Sequence, residues 1–161
     1  MRPKGRRGGA ALSRLYTVGH STRSLSELVE LLGHFGVTQL VDVRHYPRSR
    51  RNPQFNLERL ESELPGAGIV YVWKGDTLGG LRKGGYVAYM ETAGFKAGLD
   101  ELETLVRRRP TAIMCAEAAW SRCHRRFIAR QMVARGYRVE HIATGGKSVN
   151  EETLPGDASH Q

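Results

Sequence analysis

The feature that most constrains this chain is a regular alternation of short apolar runs with helical stripes between residues 15 and 142. The runs are "LYTV" (15–18), "QLVDV" (39–43), "IVYVW" (69–73), "TAIMC" (111–115) and "RVEHI" (138–142), each of strand length and apolar or β-branched. Between them, Leu25, Leu28, Val29, Leu32 and Phe35 fall at helical spacing, with Ser24 and Glu27 placed as a capping box. "LERLESEL" (57–64) predicts a short helix stopped by Pro65-Gly66. Phe95, Leu99, Leu102, Leu105 and Val106 form a further stripe, and a last helix is expected from Arg122 to Arg135, capped by Ser121 and ended at Gly136. Strands alternating with helices predict an α/β fold: one domain over 15–142, with a mostly parallel five-stranded sheet and helices on both faces.

A chain of 161 residues suits one such domain. Residues 1–14 are expected to be a flexible basic arm, carrying Arg2, Lys4, Arg6, Arg7 and Arg14. Residues 143–161 are expected to be a flexible polar tail with a net charge of −2. Removing both ends from the formal +9 leaves about +6 on the body, which suits an anionic partner: a phosphorylated small molecule or nucleic acid. Two cysteines are too few for a disulfide framework, and no segment reads as a secretory signal or a membrane span. The expectation is a cytoplasmic protein with no membrane partner.

In parallel sheets, ligands bind beyond the carboxyl ends of the strands. Those ends carry the polar residues here. Strand one runs into Gly19, His20 and Ser21; strand two ends in Asp42 and Arg44; strand four ends at Cys115, with Glu117 just beyond. After strand two, Arg44, His45, Arg48, Arg50 and Arg51 fall within eight residues, stiffened by Pro47 and Pro53, and guanidinium forks of this kind bind phosphate. A solvated basic loop would look the same, and Asp42 could simply hold one arginine in place. The loop "LGGLRKGG" (78–85) allows close backbone approach but lacks the ending of a P-loop and matches no dinucleotide fingerprint.

The segment "MCAEAAWSRCHRRF" (114–127) holds both cysteines. A catalytic or binding pocket, a zinc site from Cys115, Cys123 and His124, an exchanging disulfide, and plain core packing all fit its composition. Adjacent Cys-His ligands on a helix would point apart, which weighs against zinc. If Ser121 caps the helix, Cys123 sits in the positive end of the dipole and should ionise more readily than Cys115.

The ordered set "YTVGHS", "LVDVRHYPRSR", "LGG", "MCAE" and "CHR" resembles the family called domain of unknown function 488, over roughly residues 15–142. The resemblance implies an α/β fold whose motifs line one pocket, at Gly19, His20, Ser21, Asp42, Arg44, Pro47, Ser49, Gly79, Gly80, Cys115, Glu117, Cys123, His124 and Arg125. It implies no settled reaction. A proline often follows the Cys-Ala-Glu motif in relatives, where this chain has Ala118-Ala119-Trp120.

Two functions remain open at this level. In one, an enzyme acts on a phosphorylated ligand, a nucleotide or a nucleic acid. Cys115, Glu117, His124 and His20 are then the catalytic candidates, and Arg44, Arg48, Arg50, Ser21, Ser49, Cys123 and Arg125 hold the anion. Asp42, Gly79 and Gly80 support the site, with no metal and no cofactor. In the other, the protein is a non-catalytic nucleic-acid-binding module, with Tyr46, Trp73 and Trp120 available for stacking. A Cys/His metal-binding protein is the third and lesser reading.

Overall fold

A computed structural model describes residues 13–143 and 145–151. The expected basic arm lies outside the described residues except for its last two, and so does the tail beyond Glu151. In chain order the strands are β1 (Arg14–Gly19), β2 (Gln39–Asp42), β3 (Val70–Trp73), β4 (Thr111–Cys115), β5 (Arg138–Ala143) and β6 (Lys147–Asn150). The helices are α1 (Leu25–His34), α2 (Leu57–Glu63), α3 (Gly75–Leu78), α4 (Tyr86–Tyr89), α5 (Ala93–Arg108) and α6 (Arg125–Ala134), with 3₁₀ turns at Pro53–Phe55, Pro65–Ala67 and Trp120–Arg122.

The strands form one sheet in the order β3-β2-β4-β1-β5-β6, parallel except for the β5–β6 pair. The expected five strands become six. β6 arises from a polar stretch assigned to the tail, where Gly145 and Gly146, both at positive φ, turn the chain back along β5.

Alternation along the strands sends side chains to two cores. Leu15, Val41, Ile113 and Val139 face Phe95, Leu99 and Leu102 of α5 and Ile128 and Met132 of α6. Tyr16, Leu40, Ala112 and Met114 face Leu28 and Leu32 of α1, Leu60 of α2, and Phe55. Each core buries its apolar side chains almost completely, and burying a leucine contributes about 1.5–3 kcal/mol.

Two starts illustrate how the helices form. The α1 capping box is in place: Glu27 N–H donates to Ser24 Oγ at 3.1 Å, and Ser24 N–H to Glu27 Oε1 at 2.8 Å. The last helix departs from expectation. It begins at Arg125, and Ser121 lies in the preceding 3₁₀ turn without capping it. Cys123 is extended (φ −131°, ψ 151°), so it is a joint between two turns and not a residue of the helix's first turn.

The topology places a crevice. β1 leads through α1 to β2 on one side of β4, whereas β4 leads through α6 to β5 on the other side of β1. The connections diverge at the adjoining β1 and β4, whose ends pair Gly19 with Cys115. Such a divergence opens a ligand crevice at the strands' carboxyl ends.

Candidate functional site

A cavity of about 450 Å³ lies at these strand ends, lined by Arg44, His45, Tyr46, Gly80, Leu81, Tyr86, Cys115, Ala116, Glu117, Arg122, Cys123 and His124. Two buried clusters support it.

The first is built on Asp42, at the end of β2. Its carboxylate accepts Arg44 Nε at 2.9 Å and Nη2 at 2.7 Å, and the Tyr71 hydroxyl at 2.5 Å. Arg44 Nη2 also reaches the Phe55 carbonyl at 2.7 Å. Burial opposes the Arg44 charge, but the Asp42 bonds outweigh it and raise the pKa. His20 packs on Phe55 with ring centroids 4.4 Å apart. It donates Nδ1–H to the Ser21 carbonyl at 2.8 Å, which leaves Nε2 to accept from Arg44 Nη1 at 3.4 Å. Burial pushes its pKa down to about 4, so this ring is neutral. Arg44 is therefore held as a strut at the cavity wall, with Nε and Nη2 committed to Asp42 and Phe55, and His20 is its neutral partner.

The second cluster joins β4 to α6. Cys115 Sγ and Cys123 Sγ touch at 2.6 Å. His124 donates Nε2–H to the Val43 carbonyl at 2.8 Å, which fixes the tautomer and turns the Nδ1 lone pair toward Cys123 Sγ, 3.6 Å away. The Arg125 N–H also donates to Cys123 Sγ at 3.4 Å. Cys115 has a carbonyl acceptor instead, that of Glu117 at 3.6 Å, which suits a protonated thiol. The shared proton therefore stays on Cys115, raising its pKa well above the ordinary thiol range, with burial acting in the same direction. Cys123 is driven well below that range, first by the Cys115 bond and then, against burial, by His124.

Beside the sulfurs, the wholly buried Arg125 gives Nη2 to the Glu117 and Ala118 carbonyls, both at 3.0 Å. Its Nε and Nη1 have no partner, and no carboxylate lies within ion-pair distance of it among the described residues. A buried guanidinium without a counter-anion is costly, and the two carbonyls meet only part of that cost.

Glycines at the site leave little or no room for a side chain. A Cβ on Gly19 would drive into the Glu117 carbonyl, and one on Gly80 would sit 3.1 Å from His124 Nδ1. Gly79 is likewise closed by the backbone of His45 and Gly75.

The remaining sequence candidates scatter. Arg48 is exposed and pairs with Glu58 outside the cavity. Ser49 Oγ accepts the N–H groups of Arg51 and Asn52, bracing its own loop. Arg50 is exposed and does not line the cavity. Ser21 sits at φ 50°, its N–H on the Ala116 carbonyl at 3.0 Å. Glu117 is exposed at the cavity wall. Of the aromatics, Trp120 stacks on His141 and Trp73 is tied to the Arg44 carbonyl at 2.8 Å. Tyr46, by contrast, is 69% exposed at the rim.

Sequence reasoning gave no site role to Arg122, His45, Leu81 or Tyr86, which line the cavity. Arg122 was legible as the basic neighbour of Cys123; Tyr86 had no local signal. The zinc reading meets a geometric obstacle. Two sulfurs on one tetrahedral zinc lie roughly 3.8 Å apart, given bonds near 2.3 Å, whereas these lie 2.6 Å apart. Among the described residues, no group of three or more His, Cys, Asp or Glu side chains is arranged to hold a metal ion. No helix among them is long and apolar enough to cross a membrane.

Fold and site together define a single-domain α/β protein with a paired-cysteine crevice at its sheet's carboxyl edge. The chain belongs to the family described as Domain of unknown function DUF488, whose model matches residues 24–85 and 81–132. No curated protein and no solved structure gives a significant match.

Proposed function

We propose that this protein is a thiol-dependent enzyme acting on a phosphorylated ligand, a nucleotide or a nucleic acid, held in the crevice beyond β1, β2 and β4. The observation that carries the reading is Cys123 Sγ on the cavity wall, 3.6 Å from a His124 Nδ1 whose tautomer the Val43 carbonyl sets. This departs from the sequence expectation, in which Cys115 is catalytic and Cys123 holds the anion: Cys123 is the nucleophile, and Cys115 is the thiol that shares its proton. Cys123 attacks the electrophilic centre of the ligand. The bond to the leaving group breaks, and a solvent proton relayed through Glu117, exposed at the mouth, goes to it. His124 Nδ1 then takes a proton from the water that releases the covalent intermediate. Arg122, exposed at the same wall, supplies the charge for phosphate.

The test is a screen of nucleotides and short oligonucleotides for turnover and for thermal stabilisation, using wild type and Cys123→Ser. Turnover lost in the variant, with stabilisation kept, supports the reading; neither effect in wild type rejects it. A second reading, the nucleic-acid-binding module, is favoured by Arg50 and Arg51, exposed with no carboxylate partner among the described residues. Oligonucleotide binding that falls steeply with salt and survives Cys123→Ser, without turnover, would select it.

A further inference from the structure

We propose that Cys115 and Cys123 form a two-thiol redox centre: a hydroperoxide oxidises Cys123 to a sulfenic acid, and Cys115 resolves it to an intramolecular disulfide. The two sulfurs already touch at 2.6 Å, so reaching the bond length of about 2.05 Å takes roughly 0.5 Å of movement. Cys115 is fixed as the last residue of β4, whereas Cys123 sits at the extended joint between a 3₁₀ turn and α6. The approach falls to the joint, which needs no break in a strand or helix. Both cysteines are free and nearly buried, 2% and 8% exposed, yet both line the cavity, so a small oxidant reaches them. The groups around them divide the roles. Cys123 Sγ faces the Arg125 N–H, which favours a thiolate, and His124 Nδ1, which can accept its proton, while Cys115 faces a carbonyl.

The chemistry balances. The Cys123 thiolate attacks the terminal peroxide oxygen, the O–O bond breaks, and an alcohol or water leaves with one proton; sulfur is oxidised and peroxide reduced by two electrons. Cys115 then attacks the sulfenic sulfur, the S–O bond breaks, and its thiol proton leaves with the hydroxyl as water. The arrangement is distinct from the proposed catalysis although it shares Cys123. Oxidation consumes the nucleophile reversibly, with Cys115 guarding it against irreversible sulfinic acid.

The test uses the reduced full-length protein, a small molar excess of hydrogen peroxide at neutral pH, then alkylation and peptide mapping. Trypsin cuts after Arg122, so an internal disulfide joins two peptides, residues 109–122 and 123–125. That linked pair, with the protein two hydrogens lighter and restored by dithiothreitol, is the expected result. In Cys115→Ser, dimedone should trap a sulfenic acid at Cys123, with roughly ten-fold more adduct than at Cys115 in Cys123→Ser. Two thiols still alkylatable after peroxide, disulfide-linked dimers in place of the internal bond, or Cys123 running on to sulfinic acid in wild type would each overturn the proposal. The wild-type map decides it even if a variant fails to fold. A disulfide without ligand turnover sinks the proposed function alone, and turnover without a disulfide sinks this proposal alone.

Discussion

The Asp42–Arg44 network and the Cys115–Cys123 cluster occupy neighbouring strand ends, and both bury charge, yet they settle it in opposite ways. Around Asp42 the accounts are closed: two guanidinium bonds, a tyrosine hydroxyl and a neutral histidine meet the buried groups. Around the cysteines they are open: Arg125 has unmet donors, and the sulfurs share one proton. A saturated network has nothing left to offer a ligand and acts as scaffold. An unsaturated one holds a group in a reactive state. The difference explains why Arg44, from the loop that is the loudest signal in the sequence, serves as a strut, while unmet donors gather on a quieter segment.

The largest effect that would break this comparison is on stability. Arg44→Ala leaves the fully buried Asp42 carboxylate without its cation and should cost about 3–5 kcal/mol in urea unfolding. A loss under about 1 kcal/mol would mean that the network is not a strut.

His20 sharpens the same side through pH. Its folded pKa lies near 4, below the usual 6.5, so between those values the unfolded chain binds the extra proton. Stability from this group is complete above pH 6.5 and falls as pH drops toward 4, by up to about 3 kcal/mol. His20→Asn should flatten that slope in urea midpoints taken across the window; an unchanged slope would place the titration elsewhere.

On the cysteine side, Gly80→Ala brings a methyl against His124 Nδ1 and should slow Cys123 alkylation several-fold, for about 1 kcal/mol or less of stability. Equal rates would show that the Nδ1 contact does not matter. Arg48→Ala should do least. Its pair with Glu58 is exposed and solvent-screened, so the unfolding midpoint should not move measurably.

The sequence reveals the sheet well because buried parallel strands are short apolar runs, and 111–115 matches β4 residue for residue. It hides β6 because "KSVN" has no apolar periodicity: that strand depends on pairing with β5 and on buried Glu151, which reaches His141 Nε2 at 2.5 Å. It misplaces the start of α6 because Ser121 is a good local cap, yet tertiary demands win there: the Cys115–Cys123 contact and the burial of Arg125. The expectation that Cys123 is the more acidic thiol agrees with the surroundings of both sulfurs, though its cause is the neighbouring thiol and His124, not a helix dipole. The reading in which Asp42 holds an arginine is realised at Arg44, whereas Arg48 looked available because Glu58, ten residues away, cannot be assigned from order alone.

The central claim, that Cys123 is a thiolate beside a protonated Cys115, is tested most directly by timing iodoacetamide labelling of each cysteine from pH 4 to 9 by peptide mass. The account predicts that Cys123 labels faster than Cys115 throughout, with a rate already on its plateau at pH 7, while Cys115 stays slow up to pH 9. A Cys123 rate still climbing above pH 8, or Cys115 labelling first, would contradict it.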